Sequence, residues 1–180
     1  MSDKPNESNR VEQSKALDER KQTPIVLYVD VYPYRIDANS GEPLFLVLRR
    51  RTDVQLADSW QPASGKIRAG ERISTAFARM VQAKTGQRAS RLWALDQLNM
   101  FYDGYYDAVM IVPAAAAEIV NDPIVLQTEY HCESAWVSGE KARQLLIWPN
   151  QLACIVEIER ALAAGPAGGR YEFRNLRVSE

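Results

Sequence analysis

The chain has few of the residues with which proteins most often build metal and nucleophilic sites. Among its 180 residues it contains one histidine, His131, and two cysteines, Cys132 and Cys154. One histidine cannot form a histidine metal cluster, and the cysteines lack CxxC or Cys/His metal spacing. A Ser-His-Asp relay would depend on His131 alone. We therefore expect free, partly buried thiols and no catalytic histidine.

Long apolar runs and glycine-rich phosphate loops are also missing. No segment approaches the ~20 apolar residues of a membrane span, and no apolar run suits a signal peptide. There is no P-loop with its lysine and no GxGxxG after a predicted strand. The net charge of −1 argues against a general nucleic-acid binder. We expect a cytoplasmic protein with no membrane partner, for which nucleic acid is an improbable ligand.

The composition suits one domain. A hydrophobic content of 46% over this length is enough for a full core. Residues 1–23 mix both charges with few apolar groups, so burial could not offset the entropy of ordering them. We predict a disordered N-terminal tail over 1–23, a domain over 24–164 and a C-terminal tail over 165–180.

The segment GKIRAGERISTAFARMVQAKTG, residues 65–86, combines helical spacing with a lack of acids. No Asp or Glu occurs from Arg72 through Leu95. Apolar residues recur at helical spacing, which predicts a helix over about residues 72–85 that ends at Gly86. Positions 80, 83 and 84 share one face of that helix. They hold Met80, Ala83 and Lys84, whose side chains offer a hard cation no oxygen ligand.

This segment resembles the Nudix box, G-x5-E-x7-R-E-U-x-E-E-x-G-U, in which U is a bulky apolar residue. Gly65, Glu71, Arg79 and Gly86 fall at the matching intervals. The three acids that the resemblance would assign to Mg²⁺ binding are the ones replaced, so the box is degenerate. We expect Glu71 and Arg79 to form an ion pair that holds the loop on the helix.

The remaining pattern predicts strands, a helix, strands and then helices. Hairpins are expected for 25–36 with the run from Leu44, and for the two runs joined at Asp103-Gly104. The AAAAEIV stretch after Pro113 is predicted as a short helix or loop, and SAWV as a short strand. Residues 139–146 and 151–164 are predicted helices. This is an α+β chain, and the order resembles a Nudix-like α/β/α sandwich with a mixed β-sheet over about 24–164.

Two further segments narrow the resemblance. SWQPASGKIRAGE, and HCESAWV followed by WPN, are similar to signatures of small bacterial nucleoside or dihydroneopterin triphosphate pyrophosphohydrolases. Those relatives often carry an acid immediately before the histidine. Here that position is Tyr130, and Glu129 faces the other side if the segment is extended.

The candidate ligand residues are those that could bind a phosphate group, or stack on the base or pterin ring of a ligand. They are Lys84, Arg79, Arg49, Arg50, Trp60 and Gly65. Each has an ordinary alternative: a solvated surface lysine, solvated arginines at a strand end, a tryptophan that anchors its loop. Tyr28 and Tyr32 share a strand face and could line the same pocket or pack in the core.

Three functions remain open. The first is a Nudix-derived module that binds a small phosphorylated molecule, such as a nucleotide, without cofactor. The second is an active hydrolase whose Mg²⁺ is held by acids other than the three replaced ones, for which Glu71, Asp103, Asp107 and Glu129 are the candidates. The third is a ligand-free interaction scaffold. Loss of a metal costs several kcal/mol, on the order of a thousandfold in rate, which favours the first. A homodimer is compatible with the resemblance, since Nudix relatives are frequently dimers.

Overall fold

The computed structural model describes residues 24–120, 123–165 and 172–173. Seven strands and three helices follow one another along this part of the chain. In order they are β1 (Tyr28–Ile36), β2 (Pro43–Arg50), β3 (Trp60–Gln61), β4 (Ala63–Lys66), α1 (Ile73–Thr85), β5 (Arg91–Asp103), β6 (Ala108–Glu118), β7 (His131–Ser138), α2 (Gly139–Leu145) and α3 (Pro149–Ala163).

All seven strands belong to one mixed sheet. The main path runs β3-β2-β1-β6-β5, with β4 paired to β1 and β7 paired to β2. Strands β1 and β6 are parallel, and the other strand pairs are antiparallel. Because β1 is nine residues long and pairs with three strands, it forms the centre of the sheet.

The core consists of two apolar layers on opposite faces of the sheet. On one face α1 packs Phe77, Met80 and Val81 against Val29 and Val31 of β1. On the other face α2 and α3 cover the alternate side chains of the same strand, among them Tyr32 and Tyr34. The side chains of β1 alternate between the two layers because successive side chains of a strand point to opposite faces of the sheet. The predicted α/β/α sandwich is confirmed.

The predicted hairpins and helices are confirmed, with one correction after Pro113. The alanine-rich stretch is not a helix or loop, because β6 continues to Glu118 and pairs with both β1 and β5. Ala115 and Ala117 face α1, while Ala114 and Ala116 face α3. Alanine has the highest intrinsic helix propensity, but this preference is weak. A central strand covered on both faces by helices accepts these small side chains, and tertiary packing overrides the propensity.

The chain outside the domain is described only in small part. The predicted tail over 1–23 lies outside the described residues, and so does most of 165–180. In the latter segment, the Phe173 backbone N–H donates to Leu92 O (2.8 Å) at the outer edge of β5. Cys132 is a free, exposed thiol and Cys154 a free, buried one. Within the described residues, no helix is long and apolar enough to cross a membrane.

Candidate functional site

The loop before α1 is closed by the predicted ion pair. Arg79 Nε donates to Glu71 Oε1 at 2.7 Å and Arg79 Nη2 to Oε2 at 2.6 Å. Glu71 Oε2 also accepts the backbone N–H of Arg68, and Arg79 Nη2 also donates to Lys66 O. Hydrogen bonding from Arg79 lowers the pKa of Glu71. The pair is confirmed, and these contacts commit Arg79 to holding the loop.

The helix ends as the glycine predicts. Gly86 has a φ of 71°, and its N–H donates to Gln82 O. A left-handed residue at this position favours glycine because it has no Cβ. The loop and the terminal glycine, which lie at the two ends of the frame, therefore have a structural role although the acids between them are replaced.

Met80 and Lys84 are buried, whereas Ala83 is exposed. The Met80 side chain lies over Gly65, where a Cβ added to residue 65 would come within 2.4 Å of Met80 Sδ. The interpretation of Met80 as part of the core stripe is confirmed. A Cβ at residue 65 would therefore displace the flexible end of the Met80 side chain.

Lys84 is only 8% exposed, so its interpretation as a solvated surface lysine is wrong. Its Nζ donates to Gln127 Oε1 at 2.9 Å and lies 5.0 Å from the centre of the Tyr130 ring. Burial lowers the pKa of Lys84, and the charge of Arg50 lowers it further, while Glu129 opposes both. The ammonium is thus held by a neutral amide and an aromatic face, which attracts a cation through its quadrupole.

His131 lies beside this lysine and is 1% exposed. Its Nε2 is 2.8 Å from Gln61 Nε2. In this orientation of the amide its N–H donates and Nε2 accepts, which leaves the proton of the neutral ring on Nδ1, a buried atom that has no hydrogen-bond partner among the described residues. Burial, then the charges of Lys84 and Arg50, lower the pKa of His131 to about 4. The ring is neutral near pH 7 and is a structural acceptor.

Three consecutive arginines at the end of β2 have different roles. Arg49 pairs with Asp58 at 3.0 Å and Glu133 at 3.1 Å, which is an exposed network. Arg51 pairs with Asp53. Arg50 differs, because its Nε donates to Gln55 O and it has no carboxylate partner within the described part of the chain. Burial lowers the pKa of Arg50.

Trp60 packs against the apolar layer beneath α2 and α3. Tyr32 is likewise a core residue, whereas Tyr28 is half-buried beside Lys66, whose Nζ lies 5.7 Å from the ring centre. The side chains of β1 alternate, and those of Tyr28 and Tyr32 face away from α1. Trp60 and these tyrosines therefore do not meet Lys84 in one pocket.

The acids suggested as alternative metal ligands are not brought together. Asp103 Oδ1 accepts backbone N–H groups of its own turn, and Asp107 Oδ1 accepts the Tyr102 hydroxyl at 2.7 Å. Glu71 is held by Arg79, and Glu129 is exposed near Tyr130. Among the described residues no group of three or more His, Cys, Asp or Glu side chains could hold a metal ion. The residues at the box positions do not fit Mg²⁺, which prefers oxygen ligands.

A buried polar cluster on the opposite face was not predicted. Asp30 is 6% exposed; it accepts from Ser64 Oγ at 2.5 Å and from Asn99 Nδ2 at 2.6 Å. Burial raises the pKa of Asp30, although hydrogen bonds from Ser64, Asn99 and Gln151 favour the charged form. Gln151 Oε1 is buried without a partner. The available signal was a single acid in the middle of an otherwise apolar strand.

Comparison with known proteins gives the fold. No family model and no curated protein matches the chain. Among solved structures, a candidate NUDIX hydrolase from Listeria monocytogenes has a TM-score of 0.67 at 23% identity and covers 78% of this chain and 96% of its own. An Ap4A hydrolase from C. elegans has a TM-score of 0.63 at 17% identity and covers 78% of this chain and 99% of its own.

The NUDIX domain of Shewanella oneidensis NrtR, in complex with ADP ribose, has a TM-score of 0.64 at 15% identity and covers 90% of this chain and 99% of its own. These structures agree with the mixed sheet and its two helical layers. The chain therefore has the Nudix fold.

Proposed function

We propose that this protein binds a small phosphorylated, nucleotide-like ligand and hydrolyses it little or not at all. The observation that carries the proposal is the pair of cations, Lys84 and Arg50, beside neutral His131 at the place where the Nudix box would hold its metal. Burial lowers the pKa of both Lys84 and His131, and the charge of Arg50 lowers both further, while Glu129 opposes this for Lys84; an added anion would therefore stabilise the two cations.

A phosphate group would relieve this repulsion directly. The guanidinium of Arg50 presents a planar fork of donors that matches phosphate oxygens, and the Lys84 ammonium adds a point charge. Arg50 is only half-buried and is partly open to solvent, whereas Lys84 is 8% exposed beside the exposed Tyr130 ring, which would have to move for a phosphate to reach the ammonium. The phosphate would replace the bond from Arg50 to Gln55 O. The binding would weaken with added salt, because part of the site is exposed.

The same arrangement of side chains does not support hydrolysis of the ligand. A metal would polarise the phosphate and lower the pKa of an attacking water. The side chains of Met80, Ala83 and Lys84 supply no oxygen ligand, and the Nε2 lone pair of His131 accepts a hydrogen bond from Gln61. The ADP-ribose complex of a similar fold supports a nucleotide-like ligand for this one. No described feature favours the enzyme with a displaced metal, or the ligand-free scaffold.

The test is calorimetric titration of the wild-type protein with ADP-ribose and with nucleoside di- and triphosphates, with and without Mg²⁺. We expect binding that does not need Mg²⁺. Lys84→Met keeps the buried volume and removes the charge, and Arg50→Gln removes the guanidinium fork. Each should weaken binding at least about tenfold.

Lys141→Met is the matched control, since Lys141 also donates to a glutamine, Gln144, but on an exposed helix. Equal affinity of wild type, Lys84→Met and Arg50→Gln would refute the site. No binding of any of these compounds would favour the scaffold. Mg²⁺-dependent release of phosphate or of a nucleoside monophosphate by the wild type would overturn the proposal.

A further inference from the structure

The C-terminal segment contacts both the outer edge of β5 and helix α1. Glu172 and Trp93 form an isolated antiparallel bridge, and the Phe173 N–H donates to Leu92 O at 2.8 Å. The centre of the Phe173 ring lies 5.8 Å from that of Phe77 on α1, with 44° between the ring planes. We call the described part of this segment, Glu172 and Phe173, the C-terminal strap.

The two side chains of the C-terminal strap make different contacts, because successive side chains of a strand point to opposite faces of the sheet. Phe173 is half-buried and packs against the buried residues of the apolar layer under α1. Glu172 Oε2 lies 3.8 Å from Arg91 Nη2. The edge of β5 thus binds an extended chain in which an acidic residue is followed by an aromatic residue.

Helix α3 occupies other backbone groups of β5. This strand is the last one on the main path of the sheet, and Glu157 of α3 accepts the backbone N–H groups of Asp96 and Gln97. A strand edge presents donors and acceptors with which another extended chain can pair. If the C-terminal strap left, Leu92 O would be open to such pairing.

We propose that the C-terminal strap occupies a strand-addition site, opens without unfolding of the domain, and can be replaced by an extended peptide with an acidic residue followed by an aromatic one. The side chains of Arg91 and Glu172 are 47% and 32% exposed, and exposed ion pairs contribute little to stability. The buried layer under α1 consists of residues of α1 and the sheet, and Phe173 packs only at its margin. Opening the strap therefore leaves that layer in place.

The covalent connection to α3 explains how weak contacts keep the strap closed. A short connection gives a tethered segment an effective concentration on the order of millimolar. The closed form is then favoured even if the same peptide, added as a separate molecule, binds weakly. A partner with stronger contacts can displace the strap. The proposal does not depend on ligand binding at Lys84 and Arg50.

Hydrogen exchange of the full chain, followed by NMR, measures the opening. We expect the Phe173 amide to be protected about 10- to 100-fold, because it exchanges whenever the strap opens. The Ile119 amide is the matched control, since it donates to Tyr34 O at the same distance of 2.8 Å but within the core of the sheet. It should be protected at least about a thousandfold better. Equal protection of the two amides, or no protection of Phe173, would overturn the proposal.

A labelled peptide of residues 170–180 tests the site as an interaction surface, with fluorescence anisotropy as the readout. We expect it to bind full-length Phe173→Ala at least about tenfold more tightly than the wild type, because the weakened strap competes less. Phe101→Ala is the control, since Phe101 is 45% exposed on the same strand, away from the bridge. This variant should bind the peptide as the wild type does.

A second peptide, with alanine in place of Phe173, should bind Phe173→Ala more weakly than the first. Equal affinity of the first peptide for the wild type and Phe173→Ala would overturn the proposal, as would the absence of binding to either. Circular dichroism verifies that the variants are folded. If Phe173→Ala did not fold, the strap would be an integral part of the core, which also contradicts the proposal.

Discussion

Each face of the sheet buries one side chain that is ordinarily charged and that hydrogen-bonds to neutral groups, a lysine on one face and an aspartate on the other. On the α1 face, Lys84 is held by the Gln127 amide and the Tyr130 ring. On the α3 face, Asp30 is held by Ser64 and Asn99. Burial lowers the pKa of Lys84 and raises that of Asp30, so one physical cause acts in opposite directions on a base and an acid.

The faces differ in how the group is supported. Asp30 accepts two short hydrogen bonds within a closed cluster, while Lys84 makes one hydrogen bond near an exposed tyrosine and beside a second cation, Arg50. The buried carboxyl therefore lies on the face away from α1, and a cation lies where a Nudix box would hold acids. The donors around Asp30 compensate its burial, whereas Lys84 is compensated less fully, as the proposed ligand site requires.

The largest effect is expected from removing the carboxyl. Asp30→Ala removes the short-range acceptor of Ser64 Oγ and Asn99 Nδ2, which keep only longer contacts to Pro62 O (3.5 Å) and to the Tyr32 hydroxyl (3.3 Å), and poorly satisfied buried groups are costly. We expect the free energy of unfolding to fall by about 3 kcal/mol, as measured by urea denaturation.

Asp53→Ala is its control, because Asp53 is exposed and pairs only with Arg51. Its effect should stay within about 0.5 kcal/mol. Similar losses of stability in the two variants would mean that the buried hydrogen bonds of Asp30 contribute no more than an exposed ion pair.

A second prediction concerns the loss of stability in acid, and it tests the buried His131 on the α1 face. The pKa of His131 is lowered from 6.5 to about 4, so below pH 6.5 the unfolded chain binds a proton that the folded chain refuses. Stability therefore falls as pH drops from about 6.5 to about 4, by about 3 kcal/mol from this residue. Denaturation curves across this range measure the loss.

Asp30 contributes with the opposite sign. Because its folded pKa is raised, its contribution is present in acid and is lost as pH rises through the folded pKa. His131→Gln retains a partner for Gln61 and should flatten the loss between pH 6.5 and 4. An unchanged slope in that variant would assign the acid sensitivity to other groups.

The smallest effect is expected from the lysine. Lys84→Met removes a charge whose burial is unfavourable and fills nearly the same volume, so stability should change by less than about 1 kcal/mol in either direction. Thermal and urea unfolding without ligand measure it. A loss comparable to that of Asp30→Ala would show that the ammonium is structural, and would abolish the contrast between the faces.

Local patterns predicted much of the fold. Apolar residues at helical spacing and Gly86 located α1, and Asp103-Gly104 located the β5–β6 turn. The ion pair of Glu71 and Arg79 followed from the spacing of a recognisable frame. These features depend on residues close in sequence, or on a motif whose geometry recurs.

Other features depended on contacts between distant residues. The alanines of β6 became a strand because two strands and two helices surround them, and no property of alanine shows this. Lys84 was not recognised as buried, since its cover comes from Gln127 and Tyr130, more than forty residues further along the chain. Asp30 was overlooked because its partners, Ser64 and Asn99, lie on two other strands.

By itself the sequence determined that the three box positions offer no oxygen to a cation, since no fold can change the atoms of Met80, Ala83 and Lys84. It also determined the loop and helix that carry them. Only the tertiary structure decided where the charges lie: it buried Lys84 next to Arg50 and His131, and Asp30 on the opposite face. The physical reason is that burial and the proximity of charges set the energy of an ionisable group, and both come from segments that the fold brings together.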